Sequence, residues 1–210
     1  MQPADALRPQ HGFLHRLFGR TSTAGRQLVP RDRPRLVAGS PAAERAAGML
    51  AASTALLQLS RHEARKVVAY MHPHRIAAGT KFIREGDIED TGFTLLVLDG
   101  EVTIENLIVS RGSPITVTVL GPGNLIGEMG LLDGGPRSAS CIALTDVRCA
   151  VLTREALNQL VDDEPRTAAK LMMAISIRIA QRMRDNQDKL KLYAQLTQAM
   201  NEEINALMPH

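Results

Sequence analysis

The chain has 210 residues, of which 44% are hydrophobic and 3% aromatic, and a formal net charge of +3. This length allows one good-sized domain with extensions. Residues 1–45 hold eight arginines against three carboxylates, a local balance of +5, so the remainder is near −2 and forms no domain-wide surface for nucleic acid.

The compartment is suggested by what the sequence lacks. No apolar leader opens the chain, and the longest nearly apolar run, residues 46–59, is shorter than a membrane span. Two cysteines without a signal peptide favour a reducing compartment. We therefore expect a cytoplasmic protein in which Cys141 and Cys149 are small core residues without a disulfide.

Residues 1–41 are rich in Pro, Gly, Arg and Ser, which predicts a basic, disordered tail. One segment departs from this pattern, HGFLHRLFGR at residues 11–20. A helix there would have one apolar face, formed by Phe13, Leu14, Leu17 and Phe18. That face could contact a membrane surface or a partner. The alternative is an isolated apolar spot in the tail, because helices this short are marginal alone.

Two helices are expected before the β-rich part of the chain. An Ala-rich segment runs from Pro41 to about Leu57. The pattern Ser60-Arg-His-Glu63 is a capping box, which predicts a second helix through about Met71.

From Arg75 to Leu152, short β-rich runs alternate with Gly and Pro turns. We predict strands at Lys81–Arg84, Phe93–Leu98, Glu101–Leu107, Ile115–Leu120 and Ser140–Leu152. The last run is expected to bend into a hairpin at Thr145-Asp146, with Cys141 opposite Ala150. The predicted fold class is α+β: a small antiparallel, jelly-roll-like β-roll flanked by N-terminal helices and a long C-terminal helix.

After Arg154 the chain is predicted to be helical, with one long helix from about Arg166 to Met208. A heptad repeat begins at Met183. One seam position is taken by Met183, Leu190, Thr197 and Ile204, and the other by Asn186, Tyr193, Met200 and Leu207. A helix of roughly 60 Å is too long to pack wholly on a small roll.

This excess length favours a parallel or near-parallel homodimer through the C-terminal helix. The alternative is a helix that folds back on its own domain. The expected organisation is a basic tail over 1–41, a roll with N-terminal helices over 42–165, and the C-terminal helix over 166–210.

The stretch GEMGLLDGGPRSAS, Gly127–Ser140, is unlike a core strand. Residues 128–132 fit one helical turn whose free N–H groups attract an anion. Gly134-Gly135-Pro136 turns the chain, and the planar fork of Arg137 then suits two phosphate oxygens. Ser138 and the N–H of Ala139 would complete such a pocket.

Glu128 is not suited to bind the phosphate, because its negative charge repels that of the phosphate. A carboxylate beside a phosphate pocket is best suited to accept hydrogen bonds from a sugar hydroxyl. A phosphate together with a ribose hydroxyl indicates a nucleotide. An internal salt bridge between Glu128 and Arg137, in a roll that binds nothing, is the alternative.

These residues resemble the phosphate-binding cassette of the cyclic nucleotide-binding domain family, which includes the catabolite activator protein and the regulatory subunits of cyclic AMP-dependent kinase. GEMGLL followed by PRSAS is similar to the cassette itself. AGTKFIREGD (78–87), LLVLDGEVTI (95–104) and GPGNLIGE (121–128) are similar to the strands that precede it. The resemblance covers about residues 60–190.

The resemblance implies a role for each matching residue. Glu128 would bind the ribose 2′-hydroxyl and Arg137 the cyclic phosphate of cAMP or cGMP. Ser138 and the N–H of Ala139 would complete the phosphate contacts, with backbone groups from Gly127 and Met129. No other cofactor is expected.

The family's long C-terminal helix supplies contacts to the base. IAQRMRDNQDK, residues 179–189, resembles that helix, and its two polar base-contacting positions fall on Asn186 and Gln187. Asn186 also lies on the heptad seam, where a polar side chain can set the register of a coiled coil. Both roles stay open, and so does the choice between adenine and guanine.

The transcription-factor members of the family continue into a helix-turn-helix domain. Here the heptad continues after Lys189, and no recognition helix fits, so specific DNA binding is not expected. The strands offer no pair of His and no nucleophile–base set, so we expect no enzyme. His72-Pro-His74 has no further His nearby, and we expect no metal site.

Two functions remain in competition. In the first, the protein is a cyclic nucleotide sensor whose C-terminal helix moves when the ligand binds and signals to a protein partner. In the second, the roll is a ligand-free scaffold and the protein is a dimeric interaction module.

Overall fold

The structure is a computed structural model that describes residues 35–52, 59–107 and 114–207. Five helices and eight strands lie in these ranges. In chain order they are α1 Pro41–Leu50, α2 Arg61–Val68, β1 His72–Ile76, β2 Lys81–Ile83, β3 Phe93–Asp99, β4 Val102–Leu107, β5 Pro114–Leu120, β6 Leu125–Ile126, α3 Glu128–Asp133, β7 Ser140–Ala143, β8 Val147–Thr153, α4 Arg154–Asp163 and α5 Pro165–Leu207.

The strands form two four-stranded antiparallel sheets. The first has the order β1-β8-β3-β6 and the second β2-β7-β4-β5. Two sheets with helices before and after them are the predicted α+β roll, so the fold class is confirmed. The sequence analysis did not predict β1 and β6, which are short and lack an alternating pattern of their own.

Strand β3 separates two apolar cores. Phe93, Leu95 and Val97 point into a core between the two sheets. Leu96 and Leu98 point to the opposite face, where they pack with the helices. Because both faces are buried, the strand is a continuous apolar run rather than an alternating one.

The predicted hairpin at Thr145-Asp146 is wrong. The chain does turn there, but β7 belongs to the second sheet and β8 to the first. Cys141 therefore pairs with Ile83 and Ile104 rather than Ala150. Both strands turn alternate residues toward the core between the sheets, and this pattern does not distinguish a hairpin from a turn that crosses between sheets. Both cysteines are buried and free, as expected.

The helices before the roll begin at serine caps. The Ser60 hydroxyl accepts from the N–H of Glu63, and the Glu63 carboxylate accepts from the N–H of Ser60 at 2.8 Å, which is the predicted capping box. Helix α1 ends at Leu50, before the predicted Leu57. The predicted tail up to residue 34, with its apolar segment at 11–20, lies outside the described residues.

Helix α5 has 43 residues and begins at Pro165, whose fixed φ suits a first helical position. Its bounds agree with the predicted 166–208 within one residue. Its first three turns are built into the helical core through Ala168, Leu171 and Ile175. Everything from residue 181 onward for which exposure is described is exposed. The domain boundary placed at residue 165 stays a prediction.

No helix within the described ranges has the length and apolar character required to cross a membrane.

Candidate functional site

The stretch 127–140 folds as a short helix between two left-handed glycines. Gly127 has φ +82° and precedes α3, and Gly134 has φ +68° and follows it. A Cβ on Gly127 would lie 2.7 Å from Nη1 of Arg137, and one on Gly130 would lie 2.9 Å from the same atom. The glycines therefore make room for the Arg137 guanidinium as well as for the turns.

The guanidinium of Arg137 donates hydrogen bonds to three main-chain carbonyls. Nη1 donates to the carbonyl of Gly127 at 3.0 Å, and both Nη atoms donate to that of Phe93 at 3.3 Å. Nη2 also donates to the carbonyl of Asp90 at 3.3 Å. The Cζ atom lies 4.3 Å from the centroid of the Phe93 ring, a cation–π contact.

These contacts leave the Arg137 cation without a charged partner. The residue is only 6% exposed, and no carboxylate among the described residues forms an ion pair with it. Burial lowers the pKa of Arg137, and the nearby Glu128 partly opposes that effect by favouring the charged form. A buried cation that contacts only uncharged carbonyls has strong affinity for an anion.

Glu128 is 1% exposed, and its partner comes from a distant part of the chain. Its Oε1 accepts from Nη1 of Arg182 on α5, an ion pair that joins the cassette to the C-terminal helix. The alternative of a salt bridge between Glu128 and Arg137 is therefore not what the structure contains.

A second arginine ties α5 to the roll one helical turn earlier. Nη2 of Arg178 donates to Oδ1 of Asn124 at 2.7 Å. Burial lowers the pKa of Arg178, and Glu128 opposes this effect while Arg182 adds to it. Arg137, Arg178 and Arg182 thus all lie near the Glu128 carboxylate, which leaves a local excess of positive charge.

Glu128, Arg137 and Arg182 line a cavity of about 460 Å³, a volume that includes space open to solvent. Its apolar wall comes from both sheets and is formed by Ile83, Ile104, Leu120, Leu125, Ile126 and Cys141. Burial raises the pKa of Cys141 to about 12, so this thiol is a neutral part of the wall. The cavity offers an apolar surface next to a cation and a carboxylate.

The structure brings together most of the residues singled out in the sequence. The cavity is lined by Gly127, Glu128, Met129, Arg137, Ser138 and Ala139. The Ser138 hydroxyl lies 3.9 Å from the sulfur of Met129 across the cavity edge. Asn186 and Gln187 lie apart from this group, exposed on α5 and outside the cavity lining.

Sequence reasoning did not identify Arg178 and Arg182. The signal was present in their spacing, because residues 171, 175, 178 and 182 recur every three or four positions and share one helix face. That face begins apolar where it packs in the core and turns basic where it reaches the cavity. The carbonyl of Asp90 carried no such signal, because any residue provides a carbonyl.

We searched the described ranges for side chains that could form a metal site. No group of three or more His, Cys, Asp or Glu side chains there could hold a metal ion.

Comparison with known proteins decides the family. Residues 73–164 match the family model described as the cyclic nucleotide-binding domain, and this range contains both sheets and the cavity-forming cassette. These residues belong to the cyclic nucleotide-binding domain family.

Cyclic nucleotide-binding domains of known structure share the architecture. The domain from Methylobacillus flagellatus superposes with a TM-score of 0.63 at 29% identity, over 72% of this chain and 86% of that one. The Cyclic AMP receptor protein of Thermus thermophilus is 31% identical over 71% of this chain and 66% of its own length.

A third relative is a CRP-like cAMP-activated global transcriptional regulator of Mycobacterium tuberculosis. It is 27% identical over 52% of this chain and 47% of its own length. The chain thus spans about half to two thirds of these curated relatives.

Proposed function

We propose that this protein is a cyclic nucleotide sensor that binds cAMP or cGMP and signals to a protein partner. The observation on which this proposal depends is the arrangement of Glu128 and Arg137. Both are buried and line one cavity, yet they do not pair with each other. An acceptor and a cation kept apart in this way suit a ligand that has both a hydroxyl and an anion.

The ligand contacts follow from the chemistry of each group. Arg137 pairs with the cyclic phosphate, with help from the Ser138 hydroxyl and the N–H of Ala139. Glu128 accepts from the ribose 2′-hydroxyl. Gly127 and Met129 supply backbone at the cavity edge. This assignment is supported by the relatives named for cAMP.

The signal is proposed to pass through α5. Arg182 contacts Glu128, and Arg178 contacts Asn124, so the helix touches the roll where the nucleotide would bind. A ribose that approaches Glu128 changes the balance of these contacts and shifts the helix between two positions. Asn186 and Gln187 could then come to the base, as predicted from the sequence.

Homodimerisation through α5 is part of the proposal. Leu190, Tyr193, Met200 and Ile204 are at least half exposed on the second half of the helix. Such a row of apolar side chains along a heptad seam is stable in water when a second helix covers it.

The same exposed row favours a second candidate function, a dimeric scaffold that binds no nucleotide. In that case the Arg182–Glu128 ion pair closes the cavity permanently. A thermal-shift screen in which no cyclic nucleotide raises the melting temperature would support the scaffold.

Calorimetric titration of the purified protein with cAMP and cGMP tests the sensor. Arg137→Leu removes the cation for the phosphate, and we expect a loss of about 2–4 kcal/mol, or about 30- to 1,000-fold in affinity. The matched control is Arg148→Leu, since Arg148 pairs with Asp99 on the surface away from the cavity. Equal affinity in the Arg137 variant and the control would disprove the site.

A further inference from the structure

The far part of α5 has a second apolar stripe beside its heptad seam. With Met183 at the first heptad position, Leu192, Leu196 and Ala199 fall at the third and seventh positions, and all three are exposed. We propose that two of the dimers described above join through this stripe, with their α5 helices antiparallel, to form a tetramer. The inference goes beyond the nucleotide site, because it concerns only the part of α5 past the roll.

The apolar surface of this part of α5 is wider than a two-stranded coiled coil requires. The centres of the seam and of the second stripe lie about 110° apart around the helix, at about 100° per residue. The remaining heptad positions carry polar or small side chains, namely Arg184, Gln187, Asp188, Lys191, Ala194, Gln195, Gln198, Asn201 and Glu202. A helix with two adjacent apolar stripes suits two helical neighbours, as in a four-helix bundle.

The charges along the second stripe select its occupant. Lys189 lies seven residues before Leu196, and Glu203 lies seven residues after it, so both fall on this stripe. In an antiparallel pair centred on Leu196, Lys189 of each copy meets Glu203 of the other. Leu192 of each copy then meets Ala199 of the other. A parallel pair would instead place lysine beside lysine and glutamate beside glutamate, so the charges favour an antiparallel second copy of this chain.

Lys189 and Glu203 are not used in ion pairs by the chain itself. Lys191, on the polar side of the helix, pairs with Asp188 at 3.2 Å. Within the ranges that the structure describes, neither Lys189 nor Glu203 takes part in an ion pair. Both charges are therefore available to a second copy.

The length of α5 fits this arrangement. With Leu196 at the centre, Leu207 of one copy lies opposite Asp185 of the other. The helix contacts the roll about one turn earlier, where Arg182 bonds to Glu128. The overlap thus covers residues 185–207, past the Arg182 contact with the roll.

Sedimentation velocity of the full chain over a series of concentrations tests the inference. We expect dimers in dilute protein and a tetramer fraction that grows with concentration, because the second stripe adds a separate two-fold contact. Leu196→Glu places two glutamates face to face at the centre of the stripe and should leave dimers at every concentration. Gln195→Glu is the matched control, since it adds the same charge on the polar side of the helix and should keep the tetramer.

The masses distinguish this inference from the seam dimer. A wild type that stays dimeric at every concentration overturns the tetramer alone, and the stripe then has a different partner. Monomers at every concentration overturn the seam dimer as well. A tetramer that survives Leu196→Glu also overturns the inference.

Charge reversal tests the antiparallel orientation without adding a charge to the apolar stripe. Lys189→Glu or Glu203→Lys alone turns each ion pair between copies into a repulsion, and we expect the tetramer dissociation constant to rise at least about fivefold. This difference from the wild type should shrink in high salt. The double variant restores the pairs with opposite polarity and should recover the tetramer. Single variants that match the wild type, or a double variant no better than either single one, overturn the proposal.

Discussion

Gly130 shows how closely the cassette is fitted around Arg137. A Cβ at this position would lie 2.6 Å from the carbonyl oxygen of Thr91 and 2.9 Å from Nη1 of Arg137. Both distances are shorter than a carbon atom tolerates. The guanidinium would have to move away from the second contact, whereas the first contact is with main chain and requires a shift of the backbone.

Gly130→Ala should therefore weaken nucleotide binding and lower stability together. We expect a loss of about 1–3 kcal/mol in the free energy of unfolding, as is usual for an overfilled site. Calorimetry with cAMP and cGMP measures the effect on binding, and a urea titration measures the effect on stability. Gly48→Ala is the control, because it lies in α1 with no atom within 4 Å of the new Cβ, and it should stabilise instead. Unchanged binding in the Gly130 variant would mean that Arg137 tolerates displacement.

The residues of the cassette were predictable because their chemistry is local. Glycines, a proline and an arginine within a short stretch indicate a tight loop that presents a cation, and the structure has both. Arg182 was not predictable in the same way. It reaches Glu128 only because α5 packs across the roll, and the two residues are 54 positions apart in sequence.

At the scale of the elements, Glu63 joins a helix cap to the C-terminal helix. Its Oε2 accepts from the N–H of Ser60, and its Oε1 pairs with Nζ of Lys170 at 2.6 Å. The Lys170 contact, followed by those with Ser60, lowers the pKa of Glu63 to about 2. The charged form of this carboxylate therefore stabilises the packing of α2 on α5.

The sign of the resulting pH dependence follows from the lowered pKa. The contribution of Glu63 is complete above the unfolded value near 4.5 and disappears as the pH falls toward about 2. Glu63→Gln should be less stable than the wild type at neutral pH, and the difference should close over this window. Urea titrations from pH 6 to 2 measure it. Glu155→Gln, at an exposed position in the first turn of α4, is the control. A difference that stays constant with pH would contradict the assignment.

The elements were predicted well where a single segment determines them. The capping box at Ser60 and the helix that begins near Pro165 depend on neighbouring residues alone. The residues around Thr145-Asp146 predict a hairpin, but their alternation of apolar and polar side chains fits a turn between two sheets equally well. Which sheet each strand joins is decided by the two-layer core, and a local pattern does not contain that information.

At the scale of the whole molecule, the second half of α5 determines assembly. Leu190 is 66% exposed and Met200 62% exposed in the single chain. Leu190→Glu places a charge on the predicted seam and should convert a dimer to a monomer. Light scattering after size-exclusion chromatography measures the mass of each species. Gln195→Glu, off the seam on the same helix, should leave the dimer intact. A wild-type protein that is already a monomer would contradict the predicted coiled coil.

Helix α5 contains no glycine, and its one proline is the first residue, so nothing along its length favours a bend. About 25 residues extend past Arg182, which is about 37 Å of rigid rod at ~1.5 Å per residue. A tilt of only about 5° at the roll would swing the far tip by about 3 Å. The helix thus amplifies a small motion beside the cavity mechanically, and a spectroscopic label near residue 200 would report that motion at its largest.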